Sequence, residues 1–172
     1  MGATMSMTSG AERIKVLILD DDEGFLELCK EYIDREKFMD ADYVMSPAEA
    51  LDLVAKGEYQ VVVSDHTLPG MDGLQFLNAL RSMHHDLPFI MITGNGREGL
   101  AIEAVQNGAD VYMEKAGSPS SMLGQLLELI RSLGDVSSLI ENLPETFHVF
   151  SRDGVLFINN RGERVLAAPS RA

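Results

Sequence analysis

Hydrophobic positions along this chain keep two alternating rhythms. Short continuous apolar runs are each followed by a stretch in which apolar residues recur every three or four positions, the pattern of a buried strand leading into an amphipathic helix. The first unit has Val16-Leu17-Ile18-Leu19 as its strand and Phe25, Leu26, Leu28, Cys29, Tyr32 and Ile33 as its helical face. The second has a short strand around Tyr43-Val44-Met45. Ser46-Pro47-Ala48-Glu49 then opens a helix to about Lys56, with a capping serine, a proline at the first helical position and a glutamate in capping-box spacing. In the third, β-branched Val61-Val62-Val63 ends at Ser64-Asp65, and the turn-rich Leu68-Pro69-Gly70-Met71-Asp72-Gly73 leads into a helix carrying Leu74, Phe76, Leu77 and Leu80.

Phe89-Ile90-Met91-Ile92-Thr93 is a fourth strand, Gly94-Asn95-Gly96 its turn, and Leu100 to Asn107 a helix closed by Gly108. Val111-Tyr112-Met113 is a fifth strand ending at Glu114-Lys115, and Ser118-Pro119 caps a last helix with Met122, Leu123, Leu126, Leu127 and Ile130 inward. β-α units with continuous rather than alternating apolar strands predict an α/β fold, a doubly wound parallel sheet with helices on both faces. Ligands then bind at the carboxyl ends of the strands. After Leu133 the pattern changes. Leu139 to Pro144 reads as a short helix ending, and Phe147-His148-Val149-Phe150, Arg152-Asp153-Gly154 and Val155-Leu156-Phe157-Ile158 read as a β-hairpin with an Asp-Gly turn. Its apolar residues are expected to pack on the preceding domain or on a second copy of the chain.

Composition narrows the class. The 172 residues are long enough for one full domain with a core that needs neither disulfides nor metal, and the single Cys29 reads as a buried thiol in a reducing compartment. The 14 basic and 27 acidic residues give a net charge of −13, with no basic patch, which argues against nucleic-acid binding by this segment. No apolar run is long enough for a membrane span, so the expected location is the cytoplasm.

The chemistry lies at the strand ends: Asp20, Asp21 and Asp22 after the first, Asp65 after the third, Thr93 after the fourth, Lys115 after the fifth. If the first and third strands are neighbours, two or three carboxylates converge, and their repulsion calls for a cation. Carboxylate oxygens with open positions suit Mg²⁺ completed by substrate phosphate. A hydroxyl and an ammonium opposite that ion complete a phosphoryl-transfer site in which one carboxylate attacks in line.

From about Ile14 to Leu133 the chain resembles the receiver domains of two-component response regulators. The resemblance rests on Leu17-Ile18-Leu19-Asp20-Asp21-Asp22, on Val63-Ser64-Asp65 with Leu68-Pro69-Gly70-Met71-Asp72-Gly73, on Ile92-Thr93-Gly94 and on Tyr112-Met113-Glu114-Lys115. It implies a flavodoxin-like (CheY-like) five-stranded parallel sheet in the order 2-1-3-4-5 and a protein that is a phosphoacceptor rather than an enzyme. It implies Asp65 as phosphoacceptor, Asp20, Asp21, Asp65 and the backbone carbonyl of Thr67 as Mg²⁺ ligands, Thr93 and Lys115 holding the phosphoryl group, and Tyr112 as an aromatic switch. A histidine kinase or phosphotransfer protein is the implied partner, and a homodimer is a possible assembly. Asp22 is left as a helix cap. Receivers usually carry proline after the lysine, often through a cis bond; here Ala116-Gly117 follows, so a trans bond is expected.

The tail resembles the opening of a PAS sensor domain, through Leu139 to Glu145, the hairpin, and Asn160 to Leu166. The expected division is a disordered segment 1–13, a receiver 14–133, a linker 134–143 and a partial PAS-like segment or hairpin tail 144–172. Output then passes to a protein partner or to an attached PAS or kinase module. Two other readings compete. Gly94-Asn95-Gly96-Arg97-Glu98-Gly99 has the form of a dinucleotide fingerprint, but it stands at the fourth strand and leaves Asp20, Asp21 and Asp65 idle. A haloacid-dehalogenase-type phosphatase with Asp20 as nucleophile uses Asp20-Asp21-Asp22 but leaves Asp65 idle and lacks a late acidic pair at a strand end.

Overall fold

The computed structural model describes residues 13–83, 86–136, 146–151, 154–159 and 164–165. Strands β1 (Ile14–Leu19), β2 (Met39–Val44), β3 (Val61–Asp65), β4 (Phe89–Thr93) and β5 (Val111–Glu114) alternate with helices α1 (Glu23–Ile33), α2 (Pro47–Lys56), α3 (Gly73–Met83), α4 (Glu98–Gln106) and α5 (Pro119–Val136). The five strands pair in parallel in the order β2-β1-β3-β4-β5. The α/β doubly wound sheet expected from the apolar pattern is the observed fold.

Helix starts follow the predicted chemistry. The Asp22 carboxylate accepts from the Phe25 amide at 3.2 Å, and the Ser46 and Ser118 hydroxyls accept from the Glu49 and Ser121 amides at 3.4 and 3.2 Å. Some boundaries differ from the sequence reading. β2 begins at Met39 rather than near Tyr43, because parallel pairing from Ile14↔Met39 to Leu19↔Val44 holds Asp40 and Asp42 in an edge strand where charge is tolerated. α4 starts at Glu98, ahead of Leu100. α5 runs to Val136, so the start of the expected linker is helical. Gly134 allows this: a Cβ there would stand 2.5 Å from Ile14 Cγ2, so the bare backbone lets the end of α5 pack on the start of β1.

Beyond α5, β6 (Thr146–Ser151) pairs in parallel with β5 at Met113↔Phe150, and β7 (Gly154–Asn159) returns antiparallel to β6, with β8 (Arg164–Val165) outermost. The hairpin pairs Ser151↔Gly154 and Val149↔Leu156, so Gly154 opens β7, whereas the expected two-residue Asp153-Gly154 turn would pair 152 with 155. Residues 1–12, His84 and His85, 137–145, 152–153, 160–163 and 166–172 lie outside the described residues. So do the expected N-terminal segment, most of the linker and the hairpin turn.

Two-residue alternation splits the core. Val16, Ile18, Val61, Val63, Ile90, Ile92, Val111 and Met113 pack under α1 and α5. Leu17, Leu19, Val62, Phe89, Met91 and Tyr112 pack under α2, α3 and α4. Cys29 is 1% exposed in the first layer, where burial, then the charge of Asp20, pushes its thiol up to about 12, so it is inert packing.

At the amino edge of the sheet Arg81 ties three segments together. Its guanidinium donates to the Leu87 carbonyl at 2.6 Å, the Gly108 carbonyl at 2.6 Å and the Asp110 carboxylate at 3.2 Å, and Asp110 also accepts from the Phe89 amide at 2.7 Å. Gly108, at φ +97°, takes the left-handed turn that closes α4, as the sequence predicted.

Burial pushes the Asp110 carboxyl up to about 6, against the pull of Arg81 and the Phe89 amide. The folded chain therefore binds a proton there at a pH where an unfolded aspartate, near 3.9, has roughly none. This group's contribution to stability is lowest above about pH 6 and recovers as pH falls from about 6 to about 4. Asp110→Asn keeps a carbonyl for the Phe89 amide and should remove that slope. Urea midpoints at several pH values in the two proteins check it; equal pH dependence in both contradicts the assignment.

Candidate functional site

Strand parity decides which side chains meet at the carboxyl edge. Continuing the α1/α5-facing series one step past each strand core gives Asp20 from Ile18, Asp65 from Val63 and Lys115 from Met113. Backbone bonds hold these ends level: the Asp20 amide donates to the Val44 carbonyl at 3.1 Å, the His66 amide to the Ile92 carbonyl at 2.9 Å and the Lys115 amide to the Thr93 carbonyl at 2.8 Å. The result is a compact charge cluster. Lys115 Nζ lies 2.6 Å from Asp20 Oδ2 and 3.4 Å from Asp65 Oδ1, and it sits 4.2 Å from the centre of the Phe25 ring.

Asp20 is fully buried and Asp65 nearly so, whereas Asp21 is exposed. Each of the three offers an oxygen within 4.8 Å of the others. Three carboxylates against one ammonium leave negative charge in excess. Burial raises the Asp65 carboxyl above the ordinary range; Lys115 pulls it down, Asp20 adds a smaller upward push, and the His66 amide opposes it. The donor set is all hard oxygen with open directions, which fits a partly hydrated divalent cation of the Mg²⁺ class.

Thr93 follows the other parity. Its side chain is buried, its hydroxyl accepts from the Asn95 amide at 3.2 Å, and it shares the α4-facing side of the sheet with Tyr112. Tyr112 was expected as an aromatic switch. The structure holds it inward at 1% exposed, because its position on β5 follows the core parity and its ring fills the α2–α4 layer. Among the described residues its hydroxyl makes no hydrogen bond of good geometry; burial raises its pKa, and the nearby Arg97 backbone amide pulls it down. Thr67 is exposed on the loop after β3. No described peptide bond is cis, so Lys115-Ala116 is trans, as expected, and Gly117 turns the chain at φ +82°.

The sequence reading missed three contacts. Gly73 was read only as part of a turn, yet a Cβ there would stand 2.5 Å from the Asp65 carbonyl oxygen, and its amide donates to the His66 carbonyl at 2.8 Å. Phe25 was read as core alone but also carries the Lys115 ammonium on its ring. The Glu114 side chain lies over Gly96, in the space a Cβ would take. The first could have been suspected from the glycine that opens the helix following the acidic strand end; the others need tertiary geometry.

Residues 16–127 match the family described as response regulator receiver domain. The chain is 32% identical over 157 residues to the transcriptional regulatory protein SrrA of Staphylococcus aureus, a match that covers 89% of this chain and 62% of that protein, so the chain spans less than two thirds of that relative. Among solved structures, the receiver domain of the Francisella response regulator 1452 superposes with TM-score 0.61 at 27% identity, over 70% of this chain and 98% of that one. A receiver domain protein from Clostridium thermocellum superposes with TM-score 0.65 at 23% identity, over 73% and 98% of the two chains, a likeness of fold. These matches favour the receiver over the phosphatase alternative.

Gly73→Ala should push a methyl group into the backbone that carries Asp65. The expected loss is about 1–3 kcal/mol of stability. A matched substitution, Gly99→Ala, meets nothing within 4 Å and sits in the first turn of α4, so it should be neutral or slightly stabilising. Denaturant titration of both variants checks the contrast; equal effects would show that the close approach at Gly73 is not restrictive.

Proposed function

This chain belongs to the response regulator receiver domain family, a signalling domain rather than a classical enzyme, and we propose that it accepts a phosphoryl group on Asp65 from a histidine kinase or phosphotransfer protein. The observation that carries this reading is the convergence of Asp20, Asp65 and Lys115 within ion-pair reach at the carboxyl edge of the sheet. Asp65 has neighbours of both signs there, and burial raises its carboxyl above the ordinary range. One Asp65 oxygen bonds to phosphorus while the donor's P–N bond breaks and its electron pair leaves with the imidazole, giving an aspartyl phosphate. Asp20, Asp21 and Asp65, with the Thr67 backbone carbonyl, are the residues that would hold Mg²⁺, which when bound neutralises phosphoryl oxygens. Lys115, already bonded to Asp20 and Asp65, can transfer a hydrogen bond to the phosphoryl group, and the Thr93 hydroxyl can give up the Asn95 amide to do the same.

Tyr112 reads that change. Its buried hydroxyl lacks a hydrogen bond of good geometry among the described residues, so the inward rotamer is held mainly by packing of the ring. Drawing Thr93 toward the phosphoryl group alters the room beside Tyr112 on the same face of the sheet, and with it the surface around Ala101, Ile102 and Val105. The signal then passes to a protein partner, or through the segment after α5 to an attached PAS or kinase module. The expected setting is cytoplasmic; among the described residues no helix is long and apolar enough to cross a membrane.

Acetyl phosphate with Mg²⁺ should label the protein once, and Asp65→Asn should abolish the label. Asp21→Asn, which removes one anionic ligand while preserving shape, should weaken Mg²⁺ binding about tenfold or more. Intact mass and a Mg²⁺ titration check these; labelling that survives Asp65→Asn, or that needs no divalent ion, contradicts the mechanism.

Beryllofluoride, a phosphoryl mimic, should shift the amide resonances of residues 100 to 116 in the wild type and much less in Thr93→Ala. Equal shifts in both proteins would remove Thr93 as the relay.

A further inference from the structure

Asp20 does more than accept the Lys115 ammonium. Its carboxylate also accepts from the Asp22 amide at 2.9 Å, and the Asp22 carboxylate in turn accepts from the Phe25 amide at 3.2 Å. These bonds fold the β1–α1 connection so that Phe25, in the first turn of α1, meets the end of the Lys115 side chain. The centre of its ring stands 4.2 Å from Lys115 Nζ, while the same nitrogen is 2.6 Å from Asp20 Oδ2 and 3.4 Å from Asp65 Oδ1. Other ammonium groups lie over rings, but in water. Lys15 over Tyr59 at 5.0 Å and Lys30 over Tyr43 at 5.9 Å have side chains 42% and 60% exposed, against 19% for Lys115 on a Phe25 that is itself 6% exposed. The attraction of a cation to a ring face grows as water is removed. Ala116 and Gly117, which follow Lys115, carry nothing larger than a methyl group to pack beside it.

Resting on the phosphoacceptor reading above, we propose that Phe25 is a positioning residue for phosphoryl transfer to Asp65, its ring face holding the Lys115 ammonium beside the acceptor while leaving every N–H of that group to oxygen. An ammonium has three donors, and Asp20, Asp65 and an arriving phosphoryl group can use all of them. A polar side chain in place of the ring would take one. The ring face attracts the charge without the directed acceptor that a carbonyl or carboxylate presents, so the ammonium can slide from the Asp65 oxygen to phosphoryl oxygens without first being released. An aliphatic side chain would fill the space but would not attract the charge. Phe25 takes no part in the bonds that form and break, and it acts through Lys115.

The test keeps the ring and changes its charge distribution. Fluorine on a phenylalanine ring withdraws electron density from the face and weakens its hold on a cation with little change of shape. The full chain carrying one, two or three ring fluorines at position 25 is labelled by acetyl phosphate with Mg²⁺, and initial rates are read by intact mass. One Asp65 oxygen bonds to phosphorus as the donor's P–O bond breaks and acetate leaves with the electron pair. The rate should fall stepwise, to about a third or less with three fluorines, and Phe25→Leu should be at least as slow. The same fluorination at Phe89, buried at the start of β4 and so at the other end of the sheet, should leave the rate unchanged. A rate indifferent to fluorination at position 25, a wild-type rate in Phe25→Leu, or an equal fall on fluorination at position 89 overturns the proposal while leaving Asp65 as the acceptor, because each makes Phe25 packing alone. An unlabelled Asp65 in the wild type overturns the phosphoacceptor reading and this inference with it.

Discussion

Strands buried on both faces have only two directions in which to point a side chain, and this constraint organises the receiver. Along β1, β3 and β5 the residues under α1 and α5 are apolar until the last step, where the series delivers Asp20, Asp65 and Lys115. A slip of one residue in any of these strands would send its functional side chain to the opposite face and its apolar residues with it. The core that stabilises the fold is thus the same device that sets the registry of the site. The backbone bonds between strand ends, such as Lys115 to Thr93 at 2.8 Å, fix the height at which the three groups meet.

Meeting there is electrostatically unfavourable, and the surroundings show how the cost is met. Asp20 lies out of water with Lys115 at 2.6 Å, and the ammonium rests on the Phe25 ring at 4.2 Å, so its stem is packed and its position restricted. Asp20 also accepts from the Asp22 amide at 2.9 Å, while the Asp22 carboxylate caps α1. The run of three aspartates therefore divides its roles by direction: one inward to the lysine, one outward beside the cluster, one along the helix axis. What this network does not offset is a second inward carboxylate. Burial leaves Asp65 with a raised carboxyl, which a cation entering the site would lower.

Much of this was legible in the sequence because it is local. Strand positions, the caps at Asp22, Ser46 and Ser118, the closing turn at Gly108 and the set of strand-end residues all follow from composition within a few positions. What was not legible depends on distant partners. Met39 to Asp42 has too much charge to read as a strand, and only pairing to β1 makes it one. Gly134 was read as the start of a linker, yet α5 passes through it, and Ile14 fills the space a Cβ there would take. That β6 would join the sheet beside β5 required knowing that α5 serves as a crossover between parallel strands. Tyr112 was read correctly as sharing a strand with the lysine, but its inward position, with a hydroxyl that makes no hydrogen bond of good geometry among the described residues, is a property of the assembled layer.

The same alternation separates the charged groups from Thr93 and Tyr112. The α1/α5 side of the carboxyl edge holds the carboxylates and the ammonium, whereas Thr93 and Tyr112 belong to the side packed under α2, α3 and α4. Thr93 alone stands at the boundary, tied by its carbonyl to Lys115 and by its hydroxyl to Asn95. Charge introduced on one face can reach the other only by changing those bonds, because the strands between them are close-packed and do not bend to transmit a graded signal. A residue with two hydrogen-bonding arrangements at such a boundary converts an electrostatic event into a packing event. In the proposed switch that conversion would need a neighbour with somewhere to go, and Tyr112 would have no hydrogen bond of good geometry among the described residues to break on leaving its inward position.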